Sequence, residues 1–278
     1  KWESLAEQGG NGGGIGAKTA GAKPFPIFLR KTDQERVQNY ITELPKHIDE
    51  DFEVTIKLDG SSMTVFHLDK KSPYFKLAIE DMEIRALRKK SRLGKLWFKL
   101  LKSVGLKKSP EFLNGVCSRN IQLDPNGDNH FSAYVQRERI LEEMKTYHEY
   151  DGRNLAIQGE LISPTIQNNY EQVKDYEFYV FDVFDIDKQE YLNPFDRRAV
   201  VAGMGLCHVP VLDPDAKLTQ FAKADDDTPR GLVEGILEFA EGPGLNPNVK
   251  REGVVFKSNQ KDFSFKAISN SYLLKKKD

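Results

Sequence analysis

Cysteine is scarce in this chain, with Cys117 and Cys207 the only two. Two thiols make neither a disulfide framework nor a zinc site, and that usage suits a reducing intracellular compartment. Histidine is thin as well. The five histidines (His47, His67, His130, His148 and His208) form no ligand-spaced cluster and are assigned no catalytic role. No apolar run approaches the roughly 18–20 residues of a membrane helix, so no membrane partner is expected. There is almost no net charge either: 41 Lys and Arg oppose 42 Asp and Glu in 278 residues, which says nothing about partners. No internal repeat is visible, and no obligate protein partner is evident.

What is present is unevenly spread. Residues 85–108 hold ten Lys or Arg and no acid, and Arg92–Val104 has the spacing of a basic amphipathic helix. Such a block suits contact with nucleic-acid phosphates, against the plainer reading of a solvated helix face. Residues 1–23, with Gly9-Gly10-Asn11-Gly12-Gly13-Gly14, read as a flexible linker following something folded. Thr32-Asp33-Gln34-Glu35 fits a capping box, and Val37, Ile41 and Leu44 then predict a helix. A strand is predicted near Tyr74–Ile79 and a charged helix over 131–148. Alternation predicts strands at Leu155–Leu161, Glu177–Ile186, Gly253–Lys257 and Phe263–Ile268. Helical signal returns at Arg197–Gly203 and Gly231–Phe239, and Pro243-Gly244-Leu245-Asn246-Pro247 is a loop. Long antiparallel-type strands with intervening helices make an α+β chain.

The stretch Lys57-Leu58-Asp59-Gly60-Ser61-Ser62 carries most chemistry. Apolar alternation on both sides (Phe52, Val54, Ile56; Met63, Val65, Phe66) predicts a hairpin with a tight Asp-Gly turn. A lysine at its lip becomes a nucleophile once burial or nearby positive charge lowers its pKa. Further polar motifs then interrupt apolar strands in order. They are Ser118-Arg119-Asn120, Gly159-Glu160-Leu161, Phe181-Asp182, Glu252-Gly253-Val254-Val255-Phe256-Lys257 and Phe265-Lys266.

In this order and spacing the chain resembles the covalent nucleotidyltransferases, the polynucleotide ligases and messenger-RNA capping enzymes, over roughly residues 50–270. It is most similar to ATP-dependent RNA ligases of the family-five, nick-sealing type. Phe25-Pro26-Ile27-Phe28, Lys31-Thr32-Asp33, Ile157-Gln158-Gly159-Glu160-Leu161-Ile162 and Phe265-Lys266-Ala267-Ile268-Ser269-Asn270 carry that likeness. The segment between Lys57 and Ser118 is longer than the family norm, and Ser264 stands where many ligases have a second lysine. The resemblance implies an ATP-grasp-like nucleotidyltransferase domain over 24–278, of antiparallel sheets flanked by helices, after a missing OB-type domain. A DNA ligase or capping guanylyltransferase with the same lysine chemistry is the alternative, and a non-catalytic nucleic-acid-binding module the more remote one.

The resemblance also implies roles. Lys57 attacks the α-phosphorus of ATP to form lysyl-AMP, and AMP then passes to an RNA 5′-phosphate that a 3′-OH end displaces. Lys266 contacts the α-phosphate and, together with Mg²⁺ or Mn²⁺ on Asp59 and Glu252, keeps Lys57 proton-free. Ile56, Arg119, Glu160 and Phe181 bind the nucleotide: Glu160 at a ribose hydroxyl, Arg119 at ribose or phosphate, Phe181 stacked on adenine with Asp182 behind it. The substrate implied is RNA or an RNA-containing duplex with 5′-phosphate and 3′-OH ends.

Overall fold

The computed structural model describes residues 23–80, 110–223, 226 and 228–275, together with Ser91, Leu93, Gly94 and Leu96. The linker expected over 1–23 lies outside these residues but for Lys23, and so does nearly all of the basic segment 85–108 with its helix.

The strands, in chain order, begin with β1 (Lys23–Pro24), β2 (Glu35–Arg36), β3 (Asp51–Lys57), β4 (Ser61–Asp69), β5 (Phe112–Ser118) and β6 (Ile121–Leu123). Helices α1 (His130–Arg137) and α2 (Ile140–Asp151) follow. Next come β7 (Leu155–Ile162), β8 (Glu177–Asp185), β9 (Glu190–Tyr191), α3 (Pro194–Gly203), β10 (Cys207–His208) and β11 (Val211–Lys217). The chain continues with α4 (Pro229–Phe239), β12 (Gly253–Ser258), β13 (Ser264–Ile268) and α5 (Asn270–Lys275). The architecture is α+β, with two antiparallel-rich sheets and flanking helices.

The chain divides into two compact units. The first comprises residues 1–31, 63–157 and 184–190, and the second 32–62, 158–183 and 191–278. In the first, β1 pairs with β6, β6 with β5, and β5 with β4, all antiparallel. Its core holds Met63, Val65, Leu68, Val116, Val135, Ile140 and Met144, all buried. Phe28 meets Phe66 edge-on at 5.3 Å. The predicted helix 131–148 is two helices here, because Arg139 takes a left-handed φ of 54° between α1 and α2. Residues 75–80 are helical rather than a strand, since Phe75 and Ala78, three apart, are the buried pair.

The second unit holds a five-stranded sheet ordered β11-β3-β12-β13-β2. The neighbours of β3 are thus β11 and β12. The Lys57–Ser62 stretch therefore does not close a hairpin, and the tight-turn expectation is corrected. The helix expected from Thr32 is corrected too. Short β2 pairs with β13, two 3₁₀ turns (Val37–Tyr40 and Leu44–His47) follow, and Pro45 sits at the start of the second. Thr32 shares a hydrogen bond of 3.1 Å with the Ser62 hydroxyl instead of capping a helix. Val37 and Leu44 still reach the core, beside Phe52, Val54, Val254, Phe256, Phe265 and Ile236. Phe256 and Phe265 stack at 4.8 Å. Each such buried phenylalanine contributes about 2–3 kcal/mol.

Candidate active site

Side chains alternate across a strand, so the residues of β3 that do not enter this core emerge on the sheet's other face. On β3 these are Glu53, Thr55 and Lys57. Their partners on β12 are Lys257, Val255 and Gly253, and Val255 is in turn paired with Lys266 of β13. Lys57 and Lys266 therefore share a face, one cross-strand row apart, with the side-chain-free Gly253 in the lysine's own row. Two strand spacings, roughly 10 Å, separate their strands.

Lys57 does not face cations in the free protein. Its ammonium sits 2.7 Å from Oε2 of Glu252, with the two side chains 24% and 11% exposed. Burial alone pushes the amine toward neutrality, but Glu252, Glu160 and Asp59 outweigh it and raise its pKa, holding it protonated. Burial likewise drives the Glu160 carboxyl up to about 8; Lys57 opposes that rise, and Glu252 and Asp59 add to it. The Gly60 N–H donates to Oε1 of Glu160 at 3.1 Å. A Cβ on Gly60 would meet the Leu161 carbonyl oxygen at 2.5 Å and Ile162 Cγ2 at 2.8 Å, so this turn has room only for glycine. Protein groups alone therefore keep Lys57 charged.

Glu252 is held from behind. The Ser269 N–H donates to the Glu252 carbonyl at 2.9 Å, and the Ser269 hydroxyl donates to the Arg251 carbonyl at 3.1 Å. Buried Arg251 in turn donates to the carbonyls of Phe239, Ala240 and Glu241, the end of α4. Tyr272, on α5, is pushed well up in pKa by burial and by the Glu252 and Asp59 carboxylates near it. Its ring meets Tyr170 edge-on at 5.1 Å.

A second apolar cluster lies in the same unit. Ile56, Leu58, Ile162 and Val209 form its buried core, with the partly buried Val173, Tyr179, Phe181 and Leu245 packed against them. Behind Phe181 is a buried charge cluster. Lys257 donates to the Phe181 carbonyl at 2.6 Å and pairs with Asp182 at 2.6 Å. Arg197 pairs with Glu53 and lies 3.6 Å from Asp182, and Arg198 pairs with the same glutamate. Burial lowers Lys257 to about 8 and His208 to about 3, leaving that imidazole neutral beside Arg197.

A sequence-family comparison matches residues 50–268 to the RNA ligase family. The chain belongs to the RNA ligase family. Among solved structures it is similar to a variant of Naegleria gruberi RNA ligase with ATP and Mn, at 38% identity and a TM-score of 0.66. That match covers 91% of this chain and 59% of the other. A second variant of the same ligase, with AMP and Mn, matches at 38% identity and a TM-score of 0.66, covering 92% of this chain and 60% of that one. A third, free of ligand, covers 91% and 59% at 38% identity and a TM-score of 0.66. The chain thus spans about three fifths of these ligases' length. A comparison with curated proteins gives no match.

In this member of the RNA ligase family the second unit gathers Lys57, Asp59, Glu160, Glu252, Lys266, Ile56 and Phe181, seven of the eight expected residues. Arg119 belongs to the first unit, exposed just after β5. Reading the sequence alone missed Glu53, Arg197 and Arg198, and quoted Lys257 in a motif without giving it a role. Glu53 gave a signal that went unused, being an acid at the centre of an apolar strand.

Proposed function

We propose that this chain is the adenylyltransferase part of an ATP-dependent RNA ligase that forms lysyl-AMP at Lys57 and seals 5′-phosphate to 3′-OH ends at nicks in RNA-containing duplexes. The observation that supports it most is the contact of the Lys57 amine with Glu252 on the sheet face that also carries Lys266. The partly buried apolar side chains around Phe181 have the character required to meet a purine base. The ligases most similar in structure carry ATP or AMP with Mn.

Asp59 and Glu252 offer the hard oxygen donors that Mg²⁺ or Mn²⁺ prefers. Among the described residues no cluster of three or more ligating side chains exists. Two carboxylates suit a cation that keeps its waters and takes substrate phosphates, so the residues fit the group. When bound there, such an ion supplies the positive charge that neutralises the triphosphate and engages the carboxylates now holding Lys57 protonated. Lys57 Nζ, having lost its proton, forms a bond to the α-phosphorus while the bond to the β-phosphate oxygen breaks and pyrophosphate leaves. Lys266 faces the charge that develops on the α-phosphate oxygens. An RNA 5′-phosphate oxygen then takes the phosphorus from Lys57, and a 3′-oxygen attacks the activated 5′-phosphorus and expels AMP. Glu160, bonded to the Gly60 N–H and carrying a proton up to about pH 8, presents hydrogen-bonding capacity for a ribose hydroxyl. Among the described residues no helix is long and apolar enough to cross a membrane. With both cysteines free, we place the protein in a reducing compartment.

The test is covalent labelling. Incubation with α-labelled ATP and Mg²⁺ or Mn²⁺, then denaturation, leaves radioactivity on the protein. Lys57→Ala abolishes it, and Lys266→Ala or Glu252→Ala weakens it severely. Label surviving in Lys57→Ala refutes the nucleophile, and labelling by GTP but not ATP moves the protein to the capping class. A nick bearing a 3′-ribose, compared with one bearing 3′-deoxyribose, tests the RNA requirement.

A further inference from the structure

We propose that Glu171 is a positioning residue for the nucleotide, gripping the backbone of loop 244–248 so that Leu245 is held against the apolar cluster at Phe181. The inference rests on the reading of that cluster's partly exposed side chains as the wall of a nucleotide pocket. Glu171 is only 2% exposed, and an ionisable carboxylate is costly to bury unless donors surround it. Oε2 takes a backbone donor, while the buried Oε1 has no hydrogen-bond partner. The Asn246 N–H donates to Oε2 at 3.0 Å. Burial raises the Glu171 pKa, and the N–H groups of Asn246 and Leu245 counter that rise. The loop also lies directly on the carboxylate. A Cβ at Gly244 would stand 2.8 and 3.0 Å from the two Glu171 oxygens, so a side chain there would displace the carboxylate from this approach.

Both partners are themselves braced. Gln167, Asn168, Asn169 and Gln172 all take φ between 48° and 58°, a left-handed run that non-glycine residues keep only where surroundings enforce it. Asn169 enforces it here, donating to the Val173 carbonyl at 2.9 Å and accepting from the Val173 N–H at 2.8 Å. Val173 packs on the same four cluster residues as Phe181 and Leu245. On the other side, Gly244 N–H donates to Val249 at 2.8 Å and Asn248 N–H to the Asn246 side chain at 3.0 Å, closing the loop on itself. Glu171 is thus the tie between two preformed turns, each of which lends one apolar side chain to the cluster. A leucine at 171 would fill the space without reaching those N–H groups.

The experiment measures label transfer from α-labelled ATP against ATP concentration, on the chain as it stands. Glu171→Ala raises half-saturating ATP by about tenfold, the loss of charged hydrogen bonds passed on to binding, while the limiting rate stays within about twofold. Glu171→Gln, whose amide oxygen still accepts from Asn246, recovers most of the affinity. Leu245→Ala gives a similar rise, and the double variant is no worse than either single one, because both act through one contact. Native half-saturating ATP in Glu171→Ala and Leu245→Ala, or a loss confined to the limiting rate, overturns the proposal. Should Glu171→Ala not fold, Glu171→Gln and Leu245→Ala decide it. Amide exchange in the nucleotide-free chain tests the grip independently of ATP: Glu171→Gln and Leu245→Ala keep the 244–248 amides protected, and Glu171→Ala frees them. Faster exchange with unchanged ATP dependence refutes the pocket reading; unchanged exchange refutes the grip.

Discussion

Replacing Lys57 by methionine tests the electrostatics of the site apart from its chemistry. The ammonium is the cation among three carboxylates that act on it, and its contact with Glu252 is 2.7 Å. Removing one partner of a fully buried pair costs about 3–5 kcal/mol. Lys57 is about a quarter exposed, so solvent screens part of this. A loss of about 2 kcal/mol at pH 8 is expected, which lowers the melting temperature by about 4–8 °C in a chain of this size.

The pH dependence has a definite sign. Without the ammonium, the pocket carboxylates hold protons to higher pH in the folded chain than in the unfolded one. Between those two pKa values the native state binds more protons, so its stability falls as pH rises, by up to about 1.4 kcal/mol per unit for each proton. Glu160, at about 8, already gives the native chain a slope of this sign. Lys57→Met steepens it, so the deficit against the native chain is smaller at pH 6 than at pH 8. Mg²⁺ or Mn²⁺ then meets carboxylates without a competing ammonium, and raises the melting temperature of the variant more than that of the native chain. Calorimetric scans at both pH values, with and without metal, measure all three effects. Equal melting temperatures for the two proteins at pH 6 and 8, with equal metal shifts, refute the ion pair as the state of the free site.

Gly60→Ala forces a methyl to 2.5 Å from the Leu161 carbonyl oxygen, so the turn shifts and its N–H leaves Glu160; self-adenylylation falls at least about tenfold, by analogy with overpacking costs of about 1–3 kcal/mol. Native labelling rates in this variant refute the close fit. Arg251→Met leaves the carbonyls at the end of α4 without their donor, and the chain loses about 2–3 kcal/mol, read as the denaturation midpoint. An unchanged midpoint shows that solvent satisfies those carbonyls instead.

The alternating strands were the legible part of the fold. Leu155–Leu161, Glu177–Ile186, Gly253–Lys257 and Phe263–Ile268 are strands within a residue or two, because short apolar runs rich in β-branched and aromatic residues mark them, even though β7 and β12 are buried along nearly their whole length. Strand β11 was missed for a physical reason. Val211–Lys217 contains Pro214 and two register shifts against β3, which an edge strand tolerates and a central strand does not. The break at Arg139 had no sequence sign, since arginine carries no preference for a left-handed φ. The Glu53–Arg197 pair joins residues 144 positions apart, and no local pattern announces such a partner. The lysine proposed as nucleophile was legible as a motif, but its protonated state was not. That state depends on Asp59 of the same motif and on Glu160 and Glu252, brought to it from two distant segments.

Parity links the legible core to the site that was only partly legible. Phe52 and Val54 on β3, Val254 and Phe256 on β12, and Phe265 and Ala267 on β13 all belong to one core. Cross-strand pairing places Val54 opposite Phe256 and Phe256 opposite Phe265. A slip of one residue in any of the three strands turns its apolar set out to the opposite face. With two phenylalanines or their equivalents displaced per strand, such a slip costs on the order of 5 kcal/mol, comparable to the whole stability of many domains. The same registration determines that Lys57, Lys257 and Lys266 emerge together on the other face. Core packing therefore holds Lys57, the proposed nucleophile, and Lys266 in register. On that proposal, substitutions that loosen Phe256 or Phe265 lower self-adenylylation by relaxing this registration, although both rings belong to the opposite, core face.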